Sequence, residues 1–372
     1  MVLFFLIIAI LYILLLGGLV FGYQKIPLFF SQKNNPQTGF SVIVPFRNEA
    51  TNLPRLLQTL KNLKYPADLF EIIFVNDNSE DTSVAIIETY ITENQLISWK
   101  VINSQQQSQS PKKDAITTGI SVSRFPWIVC TDADCEVPLL WLHTFDVFIQ
   151  QYPAVLIAGP VQFVAVKKSL LHQLQIQESI ILNSVTVGAF GCNQPFMCNG
   201  ANLAYLKSAF EEIGGFSGNN HISSGDDVFL LQKMKNQFPE RVKYLKSSEA
   251  IVLTPTENSW KKVLSQRIRW AAKTPAYSAV FPKVLGIITL LMNLSVYISL
   301  LLLPDWRWFV VLFLSKIITD SFLLFPNARL FKTRIFLHTY LLNSLLYPLW
   351  MFMVFCGTFL IKTQWKGRDF VK

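Results

Sequence analysis

Charge is what this sequence has least of. Asp, Glu, Lys and Arg make up 15% of its 372 residues, whereas a soluble globular domain carries about 25%. A hydrophobic fraction of 51%, with 30 phenylalanines, therefore puts part of the chain in lipid. Cysteine is sparse as well. Cys130, Cys135, Cys192, Cys198 and Cys356 contain no CxxC pair, which argues against a disulfide framework or a zinc site and for free thiols in a reducing compartment. No repeat of solenoid length is present. The first apolar run, Val2 to Tyr23, has no Lys or Arg ahead of it and no small-residue cleavage pattern behind it. It reads as a retained anchor rather than a secretory signal peptide.

What is present divides the chain. The expected organisation is an N-terminal transmembrane anchor (1–24), an α/β domain (38–260), an interfacial segment (261–281), apolar membrane segments (282–361) and a basic tail (362–372). In the domain, short apolar β-branched runs such as Ser41–Pro45, Glu71–Val75 and Trp127–Thr131 alternate with helical stretches. That alternation predicts a mostly parallel sheet covered on both faces. Val284–Leu303, Phe309–Phe325 and Ile335–Ile361 are the apolar C-terminal segments. Three full spans would put the basic tail on the far side from the α/β domain, against the positive-inside tendency, which leaves one of the three open to being re-entrant or interfacial. Phe309–Phe325, with Lys316 and Asp320 four residues apart, is the weakest candidate to span. Lys25 and Lys33 follow the anchor, which puts its C-terminal end and the α/β domain on the cytoplasmic side. Net charge is +9. Without a nucleic-acid motif, this charge fits a face against anionic lipid or a diphosphate site, and no nucleic-acid partner is expected.

The carboxylates carry the chemistry. Asp77 stands at the end of the second strand, where an open α/β sheet binds ligands, although a turn would also use an Asp there. Asp132 and Asp134 follow the strand that ends at Thr131. Two carboxylates two apart can converge on Mg²⁺ or Mn²⁺, which take oxygen ligands. Gly225-Asp-Asp227 opens an apolar-periodic run. Asp226 is expected to cap that helix, and Asp227 to face the site as a general base. Gln266, Arg269 and Trp270 share one helical face. They suit a diphosphate and a sugar ring, or else a membrane interface. Lys167–Phe190 mixes Leu, Ile and Val with Gln, Glu and Asn, and reads equally as a helix on the membrane face or an ordinary core helix.

Taken together, these segments resemble the family-2 inverting glycosyltransferases of GT-A fold, over about Phe40 to Trp270. Val44-Pro-Phe-Arg-Asn-Glu49 resembles the opening strand and nucleotide loop. Val75-Asn-Asp-Asn-Ser79 resembles the V-D-D-G-S segment, Pro111-Lys-Lys-Asp-Ala-Ile116 the G-K-x-x-A-L segment, and Thr131-Asp-Ala-Asp134 the metal motif. Asn199-Gly-Ala-Asn-Leu-Ala-Tyr205 resembles the acceptor-side segment, with Gly214-Gly-Phe216 after it. Ser224-Gly-Asp-Asp227 matches the acidic pair, and Gln266–Trp270 the Q-x-x-R-W signature of membrane-bound members. Asn76, Asn78 and Pro111 depart from the pattern.

The resemblance implies a GT-A type α/β domain with one N-terminal and two to three C-terminal transmembrane helices. It implies transfer of a sugar from a nucleotide-diphosphate donor, a UDP-sugar foremost, to a hydroxyl of a lipid or other membrane-associated acceptor. Asp227 is then the catalytic base. Pro45, Glu49, Asp77, Lys112 and Asp132 would hold the nucleotide sugar. Asn199, Gly200, Asp226, Gln266, Arg269 and Trp270 would serve the acceptor and diphosphate, and Asp132 and Asp134 would hold the divalent metal. The setting would be a bacterial cell membrane. Processive polysaccharide synthesis is the alternative activity. An inactive scaffold of the same fold is the alternative outside catalysis, and loss of a catalytic carboxylate would be its sign.

Overall fold

The computed structural model describes residues 2–32, 34–167, 169–220, 222, 224–277, 279–302 and 305–361, with the backbone of 364–365 and 368–369. Most of the expected basic tail, 362–372, lies outside the described residues. The strands are β1 (Phe40–Phe46), β2 (Phe70–Asn76), β3 (Trp99–Asn103), β4 (Trp127–Cys130), β5 (Leu156–Ala158), β6 (Val161–Val164), β7 (Leu203–Leu206), β8 (Val242–Tyr244) and β9 (Val252–Pro255). The helices are α1 (Val2–Lys25), α2 (Leu53–Lys61), α3 (Ser83–Glu93), α4 (Pro111–Ser121), α5 (Trp141–Gln151), α6 (Leu170–Gly191), α7 (Lys207–Glu212), α8 (Asp226–Gln237), α9 (Trp260–Ala271), α10 (Phe281–Leu302), α11 (Arg307–Leu330) and α12 (Leu337–Leu360).

A seven-stranded sheet in the order β3-β2-β1-β4-β7-β5-β8 forms the core of the domain. β1 pairs in parallel with β2 and β4, and β2 with β3. All seven residues of β2 are buried, and its apolar Ile72–Val75 run is that of a strand covered on both faces. Helix α2 buries Leu53, Leu56, Leu57 and Leu60, the i, i+3, i+4, i+7 stripe of an amphipathic helix. The sheet is mostly parallel as expected, and β7 is the exception. It runs antiparallel to both β4 and β5, with Leu203 opposite Cys130. That reversal sets the chain just before β7 beside the chain just after β4.

Four helices are long and apolar enough to cross a membrane: α1, α10, α11 and α12. Phe309–Phe325, the segment read as the weakest candidate to span, lies within α11, which is long and apolar enough to cross. α11 is one 24-residue helix. Lys316 Nζ lies 2.6 Å from Asp320 Oδ2 with both side chains buried, and the Tyr12 hydroxyl donates to Asp320. A charge pair closed in this way does not forbid an apolar environment.

Helix α6 joins the domain to these helices. Glycines permit its contact with α1: a Cβ on Gly188 would stand 2.4 Å from the Leu19 carbonyl oxygen, and one on Gly191 would stand 1.9 Å from that of Gly22. On its other side, Ser184 Oγ donates to the Leu323 carbonyl at 2.6 Å, and Asn327 Nδ2 donates to the Ile180 carbonyl at 3.0 Å. Thus α6, from the Lys167–Phe190 stretch, packs against the apolar bundle on one side, while its Val187 and Phe190 join the core formed with the sheet. Lys246 fixes the end of α1. Its ammonium donates to the carbonyls of Tyr23 and Ile26, at 3.0 Å each, which satisfies orphan groups at a helix C-terminus. Burial pushes its pKa down to about 8.

Candidate active site

The sheet topology delivers the predicted residues to one edge. β1 carries Pro45 near its end and leads to Glu49, β2 ends beside Asp77, and β4 is followed by Asp132 and Asp134. Because β7 is antiparallel, Asn199 and Gly200 enter it at that same edge. The N-terminus of α8 adds Asp226 and Asp227, the first turn of α4 adds Lys112, and α9 adds Gln266, Arg269 and Trp270. All of these residues line one cavity of about 1580 Å³, at the carboxyl ends of the strands where α/β sheets bind ligands.

Where β1 and β2 end, Asp77 is nearly fully buried. Its carboxylate accepts from Gln106 Nε2 at 3.1 Å, and its N–H donates to the Phe46 carbonyl at 2.9 Å. Arg47 locks the strand ends together by donating to the carbonyls of Asp77 and Asn78, at 3.0 and 2.8 Å. Glu49 accepts from Asn52 Nδ2 at 2.7 Å, and its N–H donates to Ser83 Oγ at 2.8 Å.

The centre is a charge network. Lys112 Nζ lies 2.7 Å from Asp132 Oδ1 and 3.2 Å from Asp226 Oδ2. Burial opposes its charge, but Asp132 and Asp226 outweigh burial and hold its pKa well above the ordinary value. For Asp226, burial would raise the carboxyl, yet Lys112 and Lys273 hold it below the usual range. The expectation that Asp226 caps α8 is corrected. Gly225, in the left-handed region at φ 80°, is the cap residue and no side chain caps this helix end. Asp226 turns to Lys112 because an ion pair with a buried ammonium is stronger than a neutral cap.

Asp227 accepts from the Gly200 N–H at 3.2 Å and the Val228 N–H at 2.7 Å, and Lys273 Nζ stands 3.7 Å from it. Gly200 is tightly placed, since a Cβ there would lie 3.1 Å from Asp226 Oδ2. Arg269 has its pKa lowered by burial, against the pull of Asp226, Asp132 and Asp227. On α9, Arg267 donates to Gln266 and, through Nε, to Glu178 at 2.7 Å. Its guanidinium also covers the Trp270 ring at 4.4 Å, so a residue inside the Q-x-x-R-W segment orients two of its named members. Asn202 is structural: it accepts from Trp141 Nε1 at 2.9 Å and donates to the carbonyls of Pro160 and Ala250.

The sequence motifs single out neither Lys273 nor Lys113. Lys113 is almost fully buried. Its ammonium donates to the carbonyls of Asn219 and Ile222, at 2.7 and 2.8 Å, and lies 5.2 Å from the Phe229 ring centroid. Burial pushes its pKa down to about 8. It ties down the loop that leads into Asp226 and Asp227. Lys113→Met removes the donor from both carbonyls, so a loss of roughly 1–3 kcal/mol in stability is expected, with lower turnover at unchanged donor affinity. Thermal unfolding and steady-state kinetics check it.

Residues 41–214 match the model of glycosyl transferase family 2. That stretch, just under half of the chain, is similar to the family-2 glycosyltransferases. The chain is 25% identical over 233 residues to "Probable glycosyltransferase YdaM" of Bacillus subtilis, covering 62% of this chain and 54% of that protein. It is 26% identical over 200 residues to "Glycosyltransferase AglE" of Haloferax volcanii, covering 52% of this chain and 60% of that protein. The chain thus spans little more than half the length of these curated relatives. Among solved structures it resembles the mannosyltransferase PcManGT of Pyrobaculum calidifontis, in complex with GDP-Man and Mn²⁺, at TM-score 0.57 and 15% identity, covering 95% of this chain and 98% of that one. The fold is a GT-A-like mixed α/β sheet with one N-terminal and three C-terminal apolar helices. The family match ends at residue 214, so Asp226, Asp227, Gln266, Arg269 and Trp270 owe their place in the cavity to the geometry alone.

Proposed function

We propose that the protein is a membrane-embedded inverting glycosyltransferase that moves a sugar from a nucleotide-diphosphate donor to a hydroxyl of a lipid or other membrane-associated acceptor. The observation that carries this reading is the shared cavity. Asp77, Asp132, Asp134, Asp227 and Arg269 line the same space as Leu16, Leu285 and Met351 of the apolar helices. A water-soluble donor and a lipid-borne acceptor can meet there.

In this reading Asp77 and Glu49 face the nucleoside, and Lys112 and Arg269 face the diphosphate. Asp227 takes the proton from the acceptor hydroxyl, whose oxygen then attacks the anomeric carbon opposite the departing diphosphate. Lys273 and the Gly200 N–H orient the Asp227 carboxylate. Gln266 and Trp270 border the sugar and acceptor. Asp132 and Asp134 present only oxygen donors, the set Mg²⁺ and Mn²⁺ prefer. No cluster of three His, Cys, Asp or Glu side chains forms a cage among the described residues, so diphosphate oxygens and water would complete the shell. The residues fit such a cation, which when bound would stabilise the leaving diphosphate. The apolar helices would anchor the enzyme with its catalytic domain in the cytoplasm.

The test is direct. Purified protein is incubated with UDP- and GDP-sugars and a membrane lipid extract, and the lipids are weighed by mass spectrometry. A lipid heavier by one sugar is expected. A ladder of many sugars would favour a processive synthase, which the continuation of the cavity between the helices also accommodates. No sugar transfer or donor hydrolysis, with nucleotide still bound, sinks the reading.

A further inference from the structure

The cavity does not end at the catalytic residues. It extends between α1, α10, α11 and α12, and the wall of this arm is polar where an apolar wall would be expected. Asn293, Asn343, Tyr347 and the Lys316–Asp320 pair all line it. Polar and ionisable side chains on helices of this kind mark functional sites unless their partners explain them. Two of these residues are not explained by their partners. Asn293 Nδ2 donates to the Thr289 carbonyl at 2.7 Å, and Asn343 Nδ2 donates to Gln177 Oε1 at 2.5 Å. Both side chains are more than nine-tenths buried, and both amide oxygens lack a donor. A buried acceptor without a donor is costly, and a native site keeps one where a ligand supplies it.

The chemistry of the arm selects the ligand. Lys316 and Asp320 neutralise each other at 2.6 Å, so the pair offers no net charge to a lipid phosphate. The unmet need is for hydrogen-bond donors, and hydroxyl groups provide them. Tyr347 adds an aromatic face, with Lys316 Nζ 5.7 Å from its ring centroid. A few placed polar groups on an otherwise apolar wall are the pattern of a small-molecule subsite. We infer that this arm is an acceptor subsite for a hydroxyl-rich, uncharged head group, so that the acceptor is a saccharide- or polyol-headed lipid rather than a lipid phosphate. This inference rests on the transferase reading given above.

The experiment uses the full chain in detergent with three defined acceptors: a monohexosyl diacylglycerol, diacylglycerol and undecaprenyl phosphate. Each is assayed with UDP-glucose, UDP-GlcNAc and GDP-mannose. The monohexosyl lipid is expected to show the lowest acceptor KM. Asn293→Leu and Asn343→Leu are each expected to raise that KM at least tenfold with donor KM unchanged. If the leucine variants do not fold, inhibition of the wild-type enzyme decides. Hexyl glucoside should compete with the lipid acceptor and hexyl phosphate should not. Product length separates the two sources of a saccharide head, with one added sugar for a glycolipid and a ladder for a growing glycan. Preference for undecaprenyl phosphate, or wild-type acceptor KM in both leucine variants, overturns the inference while leaving the transferase reading intact. Nucleotide binding without turnover on any donor overturns both.

Discussion

With asparagine at position 227, transfer is expected to fall by about 10²–10⁴-fold, the usual contribution of a general base, while nucleotide-sugar affinity stays near wild type. The amide keeps an oxygen for the Gly200 N–H, now 3.2 Å away, and leaves Asp77, Lys112 and Asp132 untouched. What it removes is the ability to take a proton. Asp226→Asn should behave differently although it is the adjacent residue. Its carboxylate holds Lys112, and Lys112 also holds Asp132, so the loss should appear in donor affinity. Kinetics with calorimetric donor binding separate the two variants. A 227 variant that turns over at the wild-type rate would falsify the assignment of the base.

The second large effect is expected at the DxD pair. Asp132→Asn together with Asp134→Asn removes the carboxylates proposed for the cation and one of the two anions held by Lys112. Turnover should drop on the order of 10²–10³-fold, comparable to removing a donor that stabilises developing negative charge. Mn²⁺ should tighten UDP or GDP binding to the wild-type protein and leave binding to the double variant unchanged. Chelation should bring the wild type down to the level of the variant. Equal nucleotide affinity with and without Mn²⁺ in the wild type would remove these two residues from metal binding.

The parts of this site that were legible in the sequence are those fixed by local pattern. An apolar β-branched run followed by Asp reads as a strand end whichever partners it has. Asp77, Asp132 and Asp134 therefore appeared before the sheet was known, and a parallel order put them on one edge. Asp226 was read less well. Beside a helix start an Asp looks like a cap, and only the fold brings Lys112 within 3.2 Å to claim it. Lys113 was missed for the same reason: its partners are the carbonyls of Asn219 and Ile222, about a hundred residues away. The Lys316–Asp320 pair was the hardest to place. Two charged side chains in an apolar helix argue against a span until Tyr12, 308 residues distant in the chain, is seen to donate to Asp320. The α1–α6 contact at Gly22, Gly188 and Gly191 leaves no local signature at all, because a glycine in an apolar helix does not announce what approaches it.

Inversion at the anomeric carbon follows from a single displacement with Asp227 as base, and it can be observed without knowing the natural acceptor in advance. The product formed from an α-linked nucleotide sugar is isolated, and its anomeric configuration is read from the proton coupling constant by NMR. A β-linked product is the result this account predicts. An α-linked product would require two displacements or a front-face reaction, and would contradict the role given to Asp227.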